Sequence, residues 1–352
     1  MGVVFNHYFV KQKIQQVLTG RQSYQQVSDR SWILHPETRR THPPAIYLEG
    51  DLDKIKGLAP FGSYEIIFSQ IQGGSQVHDA TIAYCLRNAR LIQGHLYKGG
   101  YHHSLAEAPH KLWVNEPEQH FLQASLACTW VGNKWFGDWM LCDVPLTLVA
   151  QTVAPPVRTV RPPYRDEPGY RQLFQLHSTP VSHAHFDEIF IIDDRGQNDY
   201  MRERHASLRS LLRSAYPLSP HSKVMLKRGS DGETRPIKNA AAVEAFLMRQ
   251  GFAIVEPAKL APEEIVQQVL GAQLVLGVEG SQLTHALYTI ADGGTLLTLQ
   301  PPRRFNSVLK IFTDCMDLNF ALFLGDIADN GFTIDIERLA KLLDKIESVT
   351  GR

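Results

Sequence analysis

Hydrophobic positions in the second half of this chain switch repeatedly between short continuous runs and helical spacing. Glu188 to Asp193 predicts a strand, and Asp199 to Tyr216 a helix with Leu208, Leu211, Leu212 and Ala215 on one face. Val224 to Leu226 predicts a strand, Ala240 to Gln250 a helix, and Ala253 to Val255 a strand. Pro262 to Leu270 reads as a helix opened by proline and two acidic residues, which suit a helix N-terminus. Phe305 to Cys315 reads as a further helix and Phe320 to Leu324 as a strand, and Ile336, Leu339, Leu343 and Ile346 share a face of the last helix.

Between these lies the most informative stretch, Ala272 to Pro302. An apolar run, Leu274 to Val278, breaks at Glu279-Gly280-Ser281; Leu283, Ala286, Leu287 and Ile290 then follow helical spacing. Asp292-Gly293-Gly294 ends that helix and Thr295 to Leu299 is a second apolar run. Gly280 permits a sharp bend or a close approach to a ligand, and Ser281 is placed to cap the helix. Strands and helices alternating at ~25–30 residues per unit predict a doubly wound parallel sheet, which binds ligands beyond the C-terminal ends of its strands.

The first half is less regular. Residues 11–30 carry a partial helical face through Ile14, Val17 and Leu18; Ala45 to Leu48 and Tyr64 to Phe68 read as short strands. Ala80 to Leu105, broken at Gly94 and Gly99-Gly100, predicts strands and a hairpin. His102 and His103 are neighbours, which on a strand face opposite ways, and read as surface side chains. Trp135 to Asp143 opens a helix, with Pro145 as a kink. Asp138 and Asp143, five apart, need not share a face of a regular helix. Five prolines between Pro155 and Pro168 predict a linker. The expected division is residues 1–170, 171–335 and a C-terminal helix 336–352.

Composition narrows the classes. At 352 residues, two domains are expected. A hydrophobic share of 43% with 20% charged residues is globular, and a formal net charge of zero gives no field to recruit nucleic acid. Four scattered cysteines without a CxxC pair argue against a zinc ribbon or disulfide scaffold and fit a reducing compartment. No apolar run approaches the ~20 residues of a membrane span. The expected location is cytoplasmic, with peripheral attachment to an inner membrane as an option; the oligomeric state is left open.

Lys227-Arg228-Gly229-Ser230 follows a predicted strand, with Arg235 close behind. Arginine forks match phosphate oxygens, and the Gly280-Ser281 turn adds oriented amides. The chain has no GxGxxG and no Walker A motif, which disfavours a dinucleotide dehydrogenase and an ATPase. His183, His185 and Asp187 alternate on one predicted strand face, but without further ligand spacing no metal site is expected.

In order and spacing, these pieces resemble glycosyltransferase family 61, the capsular polysaccharide biosynthesis type in its bacterial branch. The matching residues are Val224 to Arg228, Arg235, Asn239, Gly251-Phe252 to Pro257, Ala272 to Gly277, Glu279 to His285, and Leu299 to Pro302. Asn133 to Trp139 with Asp143 resembles the family's HW…D segment, although Asp138 stands where histidine is common, as Glu279 does in the later turn. The resemblance implies an α/β protein of GT-B type, two Rossmann-like domains facing across a cleft. It also implies inversion at the anomeric carbon, a nucleotide-sugar donor, no metal and no other cofactor.

Without a metal, cations must stabilise the departing diphosphate. Lys227, Arg228, Arg235, Glu279, Gly280 and Ser281 are the expected donor-binding residues. Asp138, or failing it Asp143, is the expected base that deprotonates a carbohydrate or glycolipid acceptor. The expected activity is hexosyl or pentosyl transfer. A nucleotide-sugar epimerase of the same architecture and a non-catalytic nucleotide-sugar-binding partner are the alternatives.

Overall fold

A computed structural model of the chain describes residues 4–60, 62–107, 109–114, 116–229 and 234–351. It is a mixed α/β protein that divides into two compact units, Met1–Thr38 with His78–Arg204, and Arg39–Val77 with His205–Arg352. This differs from a division at the proline-rich stretch. Within the second unit, Ile46 donates its N–H to Phe320 O (2.9 Å) and accepts from Leu322 N (3.0 Å), which adds residue 46 to the edge of that unit's sheet. The proline-rich stretch lies inside the first unit, where Pro156–Thr159 is itself a strand; proline is tolerated there as the first strand residue.

The first unit holds an eight-stranded mixed sheet. Its strands are β1 (Arg30–His35), β2 (Thr81–Ile92), β3 (His95–Lys98), β4 (Tyr101–Ser104), β5 (Gln119–Leu126), β6 (Pro156–Thr159), β7 (Thr179–Val181) and β8 (His183–Asp193). They run β7-β6-β5-β8-β2-β3-β4, with β1 also paired to β2. The long pair β8 and β2 is antiparallel, whereas β5, β6 and β7 are parallel. A Rossmann-like first domain is therefore corrected. Only β2, the β3–β4 hairpin and the end of β8 are legible as apolar runs; β1, β5, β6 and β7 are not among the predicted strands, and antiparallel partners are chosen by non-local packing that local periodicity does not encode.

The second unit holds a five-stranded parallel sheet. Its strands are β9 (Lys223–Leu226), β10 (Phe252–Val255), β11 (Leu274–Val278), β12 (Thr295–Gln300) and β13 (Asn319–Leu324), ordered β10-β9-β11-β12-β13. Every residue of β11 and β12 is buried, as expected where helices cover both faces of a parallel sheet. The chain order reverses between β9 and β11, so the topological switch point lies there. The expected strand at Tyr64 to Phe68 is instead a helix, Tyr64–Gln72. Ser63 caps it by accepting from Ile66 N, and Ile67 and Ile71 bury one face. Five residues are too few to separate the two periods.

Candidate active site

One cluster forms at the C-terminal edge of the parallel sheet, on both sides of its switch point. Glu279 follows β11 directly, and its side chain is 5% exposed. Arg235 Nη1 donates to Glu279 Oε2 at 2.6 Å, and Arg304 Nη1 to the same oxygen at 3.1 Å. Asn306 Nδ2 donates to the other oxygen at 3.0 Å. Arg228, just past β9, donates to Gln282 Oε1 at 3.0 Å and to the Glu279 carbonyl at 3.4 Å. Three guanidiniums thus gather around one acidic residue, and the cluster is cationic.

Gly280 makes this geometry possible. Its φ is +153°, and a Cβ there would overlap Arg228 Nη1. Any side chain would evict the guanidinium from the turn. The turn itself differs from expectation. Ser281–Leu283 is a 3-10 turn feeding a six-residue helix, Thr284–Thr289, so the N-cap positions fall on Gly280 and Leu283 and the exposed Ser281 occupies neither. The local positive field therefore comes mainly from arginine, not from a long helix.

Lys227 is not brought into this group. Glu244, on helix Ala240–Arg249, holds its Nζ at 2.9 Å. That bond raises the lysine pKa above its usual value. Ser230 lies outside the described residues. Arg304, Asn306 and Gln282 were not anticipated. The available signal was positional, since Arg304 and Asn306 follow β12 on the edge where parallel sheets bind ligands.

The second cluster belongs to the first unit. Thr129 caps the short helix Trp130–Lys134, its Oγ1 accepting from Gly132 N at 2.9 Å. The chain turns at Trp135 and re-enters a helix at Phe136, which runs on to Val153 through a π-helical turn, Trp139–Asp143. In that turn Val144 N–H donates to Trp139 O, five residues back. Across this wider turn Asp138 and Asp143, at i and i+5, are near enough for the Asp138 charge to raise Asp143.

The two carboxylates differ in setting. Asp143 is 2% exposed and accepts from Thr129 N at 3.0 Å and Thr129 Oγ1 at 2.7 Å, both at Oδ1. Its Oδ2 is buried and has no hydrogen-bond partner among the described residues. Gly132 makes room for it, since a Cβ there would overlap the carboxylate. Burial pushes Asp143 up to about 7, against the pull of the Thr129 bonds and the Arg161 charge. Asp138 is only partly buried, and burial pushes it up to about 6 while its own backbone N–H works in the opposite direction. Trp139 is a packing residue, 2% exposed and stacked on Phe136.

A family model described as Glycosyltransferase 61 matches residues 101–297, more than half of the chain. The chain belongs to glycosyltransferase family 61. The family model spans the Trp135–Asp143 segment, Arg228, Arg235 and the Glu279-Gly280-Ser281 turn, and ends before Arg304 and Asn306. No curated protein matches the chain. As a family 61 glycosyltransferase, the protein is a transferase that takes a glycosyl donor and an acceptor.

For that chemistry the two clusters have complementary capacities. The arginine group can neutralise an anionic leaving group. A half-buried carboxylate near pKa 6 can take a proton from a hydroxyl at neutral pH.

Proposed function

We propose that this family 61 glycosyltransferase inverts the anomeric centre and uses a nucleotide-sugar donor, with a polysaccharide or glycolipid as acceptor. The observation that carries the reading is the seating of Arg228 on Gly280 across the switch point, beside Arg235 and Arg304 clamped by Glu279. Parallel sheets bind ligands at this place, and guanidinium forks recognise phosphate bidentately. Arg228 and Arg235 take the donor diphosphate, and Arg304 joins them. Glu279 is a positioning residue that holds two of the three guanidiniums. Gly280 admits the phosphate and the arginine together. Ser281 lies at the mouth of the turn, and Lys227, paired with Glu244, stands apart from the three arginines.

Asp138 is the base in this proposal. Its raised pKa leaves it ionised at neutral pH yet basic enough to accept the acceptor's proton as the glycosyl bond forms. Asp143, tied to Thr129, holds the π-helical turn that presents Asp138. The GT-B division of labour is kept only in this sense: the donor on the second unit, the acceptor and its base on the first. Departure of the nucleoside diphosphate breaks the anomeric C–O bond, and the acceptor oxygen forms the new one from the opposite face. The arginines take up the leaving group's charge without a metal.

Proton NMR of the product tests this. An anomeric configuration opposite to the donor's is expected, with turnover persisting in EDTA while circular dichroism shows the chelated protein folded. Retention of configuration, or turnover restored only by added magnesium or manganese in folded protein, contradicts it.

A further inference from the structure

The hairpin β3–β4 and the loop that leaves it gather three imidazoles that the transferase reading does not use. His95 pairs with Ser104 and Tyr97 with His102, so the pleat puts all four side chains on one face of the hairpin. His95 Nδ1 lies 3.1 Å from His102 Nε2. His110, from the loop beyond β4, stacks on His95 with ring centroids 4.0 Å apart and stands 4.8 Å from the His102 ring. One nitrogen from each of the three rings lies within 4.8 Å of the other two. His95 is 3% exposed, and His102 and His110 are half-buried. The sequence reading of His102 as a surface side chain is corrected on this point; the diagonal partner His95 sits on the neighbouring strand, seven residues away.

We propose that His95, His102 and His110 bind a divalent first-row metal ion, with zinc the best match. Zinc–nitrogen bonds of about 2.0–2.1 Å in a tetrahedron set neighbouring nitrogens about 3.3 Å apart, close to the His95–His102 separation. An imidazole-only donor set suits zinc and excludes magnesium and calcium, which take oxygen ligands. The Tyr97 hydroxyl lies 2.7 Å from His110 Nδ1. With Nδ1 tied to that hydroxyl, Nε2 is the nitrogen that would ligate, the arrangement of an outer-shell partner. The 3.1 Å spacing is also that of a hydrogen bond between the two rings, and binding requires His110 to tilt out of its stack on His95 so that its lone pair meets the ion. The fourth position is left to water. Bound there, the ion fastens the loop carrying His110 to the hairpin, and it touches none of the residues assigned to donor or base.

The test is calorimetric titration of zinc chloride into chelator-treated full-length protein, with cobalt substitution read by visible absorption. One site with an apparent Kd below about 1 µM is expected, with a rise in Tm. Cobalt should give the intense visible bands of a four-coordinate ion. His102→Ala and His110→Ala, chosen because both side chains are half-buried, should each weaken zinc binding at least about 100-fold, and Tyr97→Phe about 10–100-fold. The more exposed trio His120, His185 and Asp187 provides the control, and His120→Ala should leave binding unchanged. A wild-type Kd weaker than about 100 µM overturns the proposal. So does affinity lost in His120→Ala and kept in His102→Ala. The wild-type cobalt spectrum decides independently of whether any variant folds, and a six-coordinate spectrum counts against the site.

Discussion

Replacing Asp143 by asparagine should change how stability depends on pH. The carboxyl is 2% exposed, and burial raises it from 3.8 to about 7. A carboxyl raised in the folded state contributes its full stability while both states are protonated, below about pH 4. That contribution is lost between about pH 4 and pH 7, as the unfolded chain ionises first, and stays lost above. A shift of about three units is worth about 4 kcal/mol at 1.36 kcal/mol per unit. The amide in Asp143→Asn cannot titrate but keeps an oxygen for the Thr129 donors. Urea unfolding of both proteins at steps from pH 4 to pH 8 is the assay. The variant should gain on the wild type steadily over that range, by a total on the order of 4 kcal/mol. A difference that stays constant with pH would refute the buried, protonated carboxyl.

Asp138→Asn should lower turnover about 10²–10⁴-fold, the usual share of general-base catalysis, with donor affinity nearly unchanged. Equal loss of both would make Asp138 structural. In the wild type, kcat/KM should fall about tenfold per unit below about pH 6, since the base must be ionised, and the break should vanish in Asp138→Asn. Gly280→Ala should displace Arg228, because the new Cβ would overlap its Nη1. Nucleoside diphosphate affinity should then fall as far as in Arg228→Ala, and wild-type affinity in Gly280→Ala would show that Arg228 does not need that seat.

How much of this was legible in the sequence depended on locality. The parallel sheet was readable because β11 and β12 are continuous apolar runs bounded by glycine turns, and the edge they define pointed to Arg228 and Glu279. Tyr64–Gln72 was misread because its register as a helix rests on the Ser63 cap and on two isoleucines four residues apart. Residues 39–77 join the second unit through isolated bridges, Ile46 to Ala321 and Leu58 to Phe305, which no local pattern announces. Arg304 and Asn306 reach Glu279 from 25 and 27 residues away. The π-helical turn that unites Asp138 with Asp143 adds one residue to a helical period and leaves no signature in composition.

The most direct measurement is calorimetry of nucleoside diphosphates on wild-type protein, Arg228→Ala and Arg235→Ala, each checked for fold by circular dichroism. One diphosphate of a uridine, guanosine, adenosine and cytidine panel should bind the wild type. Each substitution should weaken that binding by about 1.5–3 kcal/mol, roughly 10–150-fold, the scale of a charge-assisted hydrogen bond. Unchanged affinity in both folded variants would contradict the donor site at the switch point.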